Sequence, residues 1–72
     1  MAKRAMVTTK IDRAAAEQFG REAFVNGLDR APCLNAEYND WRTATYPESA
    51  RAVVELGTEY LRGWDAANLK AA

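Results

Sequence analysis

The chain contains no histidine and only one cysteine, Cys33. Without a second thiol no internal disulfide can form. Without imidazole, a zinc site would need one thiolate completed by carboxylates, a donor set that zinc rarely uses. The same lack removes the commonest general base. No glycine-rich phosphate loop of either standard type is present. The carboxylates alternate with arginines at helical spacing, a pattern suited to solvated helix faces. Cys33 has no histidine to activate it, so it is expected to be a small buried thiol rather than a nucleophile. These absences point to a non-enzymatic protein with no cofactor and no metal.

Charge of one sign is also missing. Ten Lys and Arg balance ten Asp and Glu, for a formal net charge of zero. That argues against a nucleic-acid binder working through bulk positive charge. It leaves room for a local patch: Lys3, Arg4 and Lys10 lie in the first ten residues with no acid among them. No apolar run approaches membrane-spanning length, and the N-terminus lacks the apolar stretch of a secretory signal. One unpaired cysteine fits a reducing compartment, so a cytoplasmic location and no membrane partner are expected.

Seventy-two residues make one domain. A chain of this size buries only about 60% of its unfolded surface. With disulfide and metal excluded, stability is expected to come from a second copy, as a homodimer, or from a larger partner.

What is present is helical. Residues 1 to about 8 read as a mobile arm. The stretch TTKIDRAAAEQFGREAFVNG reads as a first helix, capped by Thr8 or Thr9, with Asp12 at the positive end of its dipole and Gly27 just past its end. Ile11, Ala15, Phe19 and Ala23 form one apolar stripe; Ala16, Gly20, Ala23 and Gly27 form an adjacent strip of small residues, suited to core packing or a dimer seam. Arg13, Glu17 and Arg21 step by four as charge pairs. Pro32 interrupts the pattern. Leu34, Tyr38 and Trp41 then suggest a short helix capped by Asn35. Thr45 and Glu48 have capping-box spacing around Pro47, which predicts a last helix over about Pro47 to Leu69. Its expected buried stripe is Val53, Gly57, Tyr60, Trp64 and Ala67, widened by Ala50, Val54 and Leu61. The glycines on this helix, Gly57 and Gly63, would let the first helix come close, with Trp64 as a core anchor. The fold class is all-α: two main helices packed as an antiparallel hairpin, with a short helix in the connection.

Two motifs stand in order, FGREAFVNG leading through LDRAPC to Cys33, and YLRGWDAA near the end. Together they resemble the ribosome modulation factor family, with the ciprofloxacin-resistance-protein-like small proteins grouped with it. Gly20, Ala23, Gly27, Cys33, Tyr60, Gly63, Trp64 and Ala67 match the family's order, over roughly half of the chain. The resemblance implies structural roles for these eight residues. It also implies a translation regulator that binds ribosomal RNA, contacted here through Lys3, Arg4, Lys10, Arg21 and Arg30.

The chain departs from the family in being neutral rather than strongly basic. Leu34 follows the cysteine where the family has proline, and a segment over residues 35–49 separates the motifs. Its Tyr38, Trp41, Arg42 and Tyr46 could stack on bases, complete a small core, or form a protein-binding patch. The alternative function is therefore a small adaptor or inhibitor, of the kind phages and bacteria encode, acting on a protein partner.

Overall fold

The structure is a computed structural model and describes residues 8–71. The expected mobile arm, with Lys3 and Arg4, lies outside these residues except for Thr8. Three helices are described: α1 (Lys10–Val25), α2 (Ala36–Thr45) and α3 (Ala50–Ala71), with a 3-10 turn at Pro32–Leu34.

The ends of α1 follow from local chemistry. Thr9 accepts a hydrogen bond from the Asp12 N–H at 3.0 Å, the N-cap that the sequence predicts. At the other end Gly27 adopts φ 74°, and the Leu28 and Gly27 N–H groups donate back to the Ala23 and Phe24 carbonyls. This pair of bonds satisfies carbonyls the helix leaves open, and its left-handed residue is best supplied by glycine.

Asn35 caps α2 through the Tyr38 N–H at 3.0 Å. The predicted capping box before α3 does not form. Thr45 is still inside α2, where its hydroxyl donates to the Trp41 carbonyl. Ser49 caps instead, accepting from the Ala52 N–H at 3.1 Å, so α3 begins at Ala50 rather than Pro47. Between the two helices the chain reverses through Glu48 at φ 62°.

The long helices run parallel, which corrects the expected antiparallel hairpin. Thr8, before α1, meets Glu55 near the start of α3; Gly20 meets Tyr60 and Trp64; Phe24 meets Trp64; Val25 lies beside Ala67 and Lys70. Partner numbers rise together along both helices. The physical reason is α2. Short loops make antiparallel neighbours, but this connection contains a helix of its own that runs back along α1, from Tyr38 beside Phe19 to Tyr46 beside Asp12. The chain thus returns to its starting end before α3 begins, giving an up–down–up bundle.

The core is formed by Ala16 and Ala23 of α1, Tyr38 of α2, and Ala52, Leu56 and Tyr60 of α3. Each large member contributes about 1.5–3 kcal/mol of burial. The buried face of α3 is Ala52, Leu56, Tyr60 and Gly63. It shares only Tyr60 with the predicted stripe; Val53 and Val54 face outward. Ile11 also leaves its predicted stripe, at 80% exposed. The small strip of α1 packs against α3 through Ala16, Gly20 and Ala23, whereas Gly27 is exposed in the turn. Trp64 is half-buried at one end of the bundle, edge-on to Phe24 at 5.2 Å, with its indole N–H donating to the Leu28 carbonyl at 3.3 Å.

Candidate functional site

The short helix α2 lies over α1 and α3 and leaves a groove along its α3 side. The groove is built from the turn upward. Asn39 directs its amide N–H₂ at the Pro32, Cys33 and Asn35 carbonyls, 3.0–3.1 Å away, which fixes the 3-10 turn against α2. Asn35 donates to the Tyr60 hydroxyl at 3.2 Å and ties this corner to α3. At the far end of α2 the Tyr46 hydroxyl donates to Asp12 at 2.6 Å and accepts from the Thr9 N–H at 3.1 Å. Both ends of α2 are therefore anchored, one to α3 and one to α1.

The resulting cavity is about 310 Å³, lined by Pro32, Cys33, Tyr38, Arg42, Val53 and Gly57 besides Asn39. Its walls are mainly apolar. Leu34, next in the chain to Cys33, is 68% exposed, and Val53 is 48% exposed. Gly57 has open space where a side chain would stand.

Among the described residues, two polar groups of this site lack a partner: the Tyr38 hydroxyl has no hydrogen bond and Arg42 no carboxylate. Tyr38 is 1% exposed, and its ring packs between Phe19 at 5.6 Å and Tyr60 at 4.9 Å. Its hydroxyl is the one buried side-chain polar atom without a hydrogen bond among the described residues. An unsatisfied buried hydroxyl is costly and calls for an explanation. Burial pushes the phenol up to about 12, against the opposing pull of the Arg42 charge, so the hydroxyl keeps its proton and can donate. Arg42 is half-buried and takes part in none of the ion pairs among the described residues.

The other described arginines are occupied. Arg21 pairs with Glu17 at 2.9 Å, Arg51 with Glu55 at 3.0 Å and Arg62 with Glu59 at 3.6 Å. Arg30 makes a two-pronged contact with Asp65 at 2.7 and 2.8 Å, joining the connection to α3. This contact holds the Asp65 carboxyl below its usual range. Arg13 does not join the expected ladder with Glu17; it donates to the Thr8 carbonyl and hydroxyl.

The predicted RNA contacts are dispersed. Lys10 is exposed at the start of α1, while Arg21 lies about 16 Å further along the axis at 1.5 Å per residue. Arg30 sits beyond the end of the same helix. Of the predicted aromatic patch, Tyr38 is in the core, Trp41 is half-buried against Phe19 at 5.2 Å, and Tyr46 is held by Asp12. Cys33 is exposed rather than buried, because it sits in the turn at the groove's edge. Among the described residues no cluster of metal-ligating side chains occurs, and no helix is long and apolar enough to cross a membrane.

Helical spacing alone predicts Val53 and Gly57 in the core, whereas they line the groove. Val53 stands three and seven positions before Leu56 and Tyr60, a single-face spacing, so the sequence carries no signal that it lies on the groove wall. Comparison of the chain with protein-family models, with curated proteins and with solved structures finds no match.

Proposed function

We propose that this chain is a small non-enzymatic regulatory protein that acts by binding another protein. The observation carrying this reading is the α2–α3 groove, an exposed apolar cleft whose wall holds Arg42, an arginine without an ion-pair partner among the described residues. Arginine and aromatic anchors in apolar surroundings dominate protein interfaces. Of the six described arginines, Arg21, Arg30, Arg51 and Arg62 already face carboxylates. That arrangement reduces the charge available to a phosphate backbone, which is what supplies affinity for RNA.

The rival reading follows the resemblance to the ribosome modulation factor family and uses Lys3, Arg4, Lys10, Arg21 and Arg30 on ribosomal RNA. Co-sedimentation with purified ribosomes over a salt series separates the two. Three to five phosphate contacts would give a slope of roughly two to four for log affinity against log salt. The protein-binding reading expects either no pelleting or pelleting that is flat with salt. A steep slope, lost when Lys3, Arg4 and Lys10 are neutralised together, overturns it.

A further inference from the structure

We propose that the α2–α3 groove docks an acidic segment of a partner protein, its carboxylate meeting Arg42 and the Tyr38 hydroxyl while an adjacent aliphatic side chain lies on Val53 and Gly57. The inference deepens the protein-binding reading and rests on it.

Four features select this occupant. Arg42 supplies one positive charge with no carboxylate partner of its own among the described residues. A guanidinium's planar fork is matched to a carboxylate. Tyr38 lines the cavity, and its protonated hydroxyl is buried with no hydrogen-bond partner among the described residues. A phosphodiester chain fits less well: the groove is lined by one cation rather than a row, and Tyr38, at 1% exposed and packed against Phe19 and Tyr60, offers no platform for a base. The size of the cavity, about 310 Å³, is at the small end for ligand sites and suits one or two side chains of a peptide.

Because the Tyr38 hydroxyl has no partner among the described residues, Tyr38→Phe is a change the fold tolerates. It removes one donor from the site and nothing from the core. Arg42→Gln removes the charge and leaves a shorter polar side chain at a half-buried position.

The test uses the isotope-labelled full chain with two capped peptides, acetyl-Leu-Glu-Leu-amide and acetyl-Leu-Gln-Leu-amide. The Glu peptide is expected to shift the Val53 methyl and Gly57 amide resonances saturably. The Gln peptide should bind about tenfold more weakly, the scale of one charge-assisted hydrogen bond. Arg42→Gln and Tyr38→Phe should each reduce that preference, with the resonances of the folded chain retained. A second readout is the Cys33 thiol at the groove's edge, whose reaction with a disulfide reagent should slow when the Glu peptide is bound. Equal affinity for the two peptides, shifts confined to another surface, or no shift at millimolar peptide overturns the inference. Its failure is distinct from failure of the protein-binding reading, which a steep salt dependence of ribosome pelleting overturns whatever the peptides do.

Discussion

Gly20 of α1 lies against the Tyr60 carbonyl of α3, and Gly63 of α3 lies against the Glu17 carbonyl of α1. Each glycine thus meets the carbonyl that precedes the other by three residues. Parallel helices can make this exchange only when their backbones touch. A Cβ on Gly20 would stand 2.8 Å from the Tyr60 carbonyl carbon and 2.9 Å from the Trp64 nitrogen; one on Gly63 would stand 2.9 Å from the Glu17 carbonyl carbon. Close backbone approach brings Cα–H groups to carbonyl oxygens, a contact worth about 0.5–1 kcal/mol. That offsets much of the roughly 1 kcal/mol that each helical glycine costs relative to alanine.

The three helical glycines should therefore respond to alanine with opposite signs. Gly20→Ala and Gly63→Ala push a methyl into backbone that cannot swing aside, and each should destabilise by about 1–3 kcal/mol. Gly57→Ala meets nothing within 4 Å and should stabilise by about 0.5–1 kcal/mol through helix propensity. Denaturant midpoints of the three variants decide it; a midpoint that rises for Gly20→Ala contradicts the packing.

Two tyrosines in contact should respond differently to loss of their hydroxyls. Tyr60→Phe removes the acceptor of the Asn35 amide and should cost about 1 kcal/mol. Tyr38→Phe deletes a hydroxyl that has no partner among the described residues, so it should be neutral or stabilising by up to about 1 kcal/mol. Chemical denaturation of the pair is the check, and a clear loss of stability in Tyr38→Phe would mean that its hydroxyl is bonded in the free protein.

Glu55 links stability to pH. It accepts the Thr8 hydroxyl at 2.7 Å, pairs with Arg51, and accepts the Thr8 N–H at 3.1 Å; these bonds hold its carboxyl down to about 2 from an ordinary 4.5. A depressed folded value means that the carboxylate's contribution is fully present above the unfolded value. It is lost as the pH falls from about 4.5 through about 2. Thermal melts across that window should show falling stability, and Glu55→Gln should flatten the fall. An unchanged pH profile in Glu55→Gln would remove this link. Thr8, at 2% exposed, is held by the same contact and so does not belong to an arm.

Trp64 is half-buried, so Trp64→Ala should cost less than the 3–5 kcal/mol typical of a fully buried tryptophan. The cavity-forming Leu56→Ala, at a fully buried position, should cost about 2–5 kcal/mol and be the more damaging of the two. Urea titrations of both variants give the order.

Much of the local structure was legible in the residues. Thr9, Asn35 and Gly27 announce the ends they form, because capping depends on neighbours within a few positions. The small strip Ala16, Gly20 and Ala23 announces a close approach. Direction was not legible: Leu34, Tyr38 and Trp41 announce a short helix in the connection, but nothing in α1 or α3 says that it runs back along α1 and so makes the long helices parallel. The face of α3 was misread because Val53 and Trp64 are the more apolar choices; yet Gly63 needs a neighbour's backbone and rotates the helix toward Ala52 and Leu56. At the groove, Arg42 and Tyr38 were visible as candidates. Their setting was not, because an unpaired guanidinium and an unsatisfied hydroxyl are facts about which carboxylates lie elsewhere.

A photoreactive side chain placed at Val53, on the groove's open wall, tests most directly whether the protein works by gripping an acidic protein partner there. Irradiation in cells should yield a discrete adduct that resists nuclease, is destroyed by protease and is lost when Arg42→Glu reverses the charge. An adduct that nuclease removes, or one whose yield is the same with Arg42→Glu, would contradict that function.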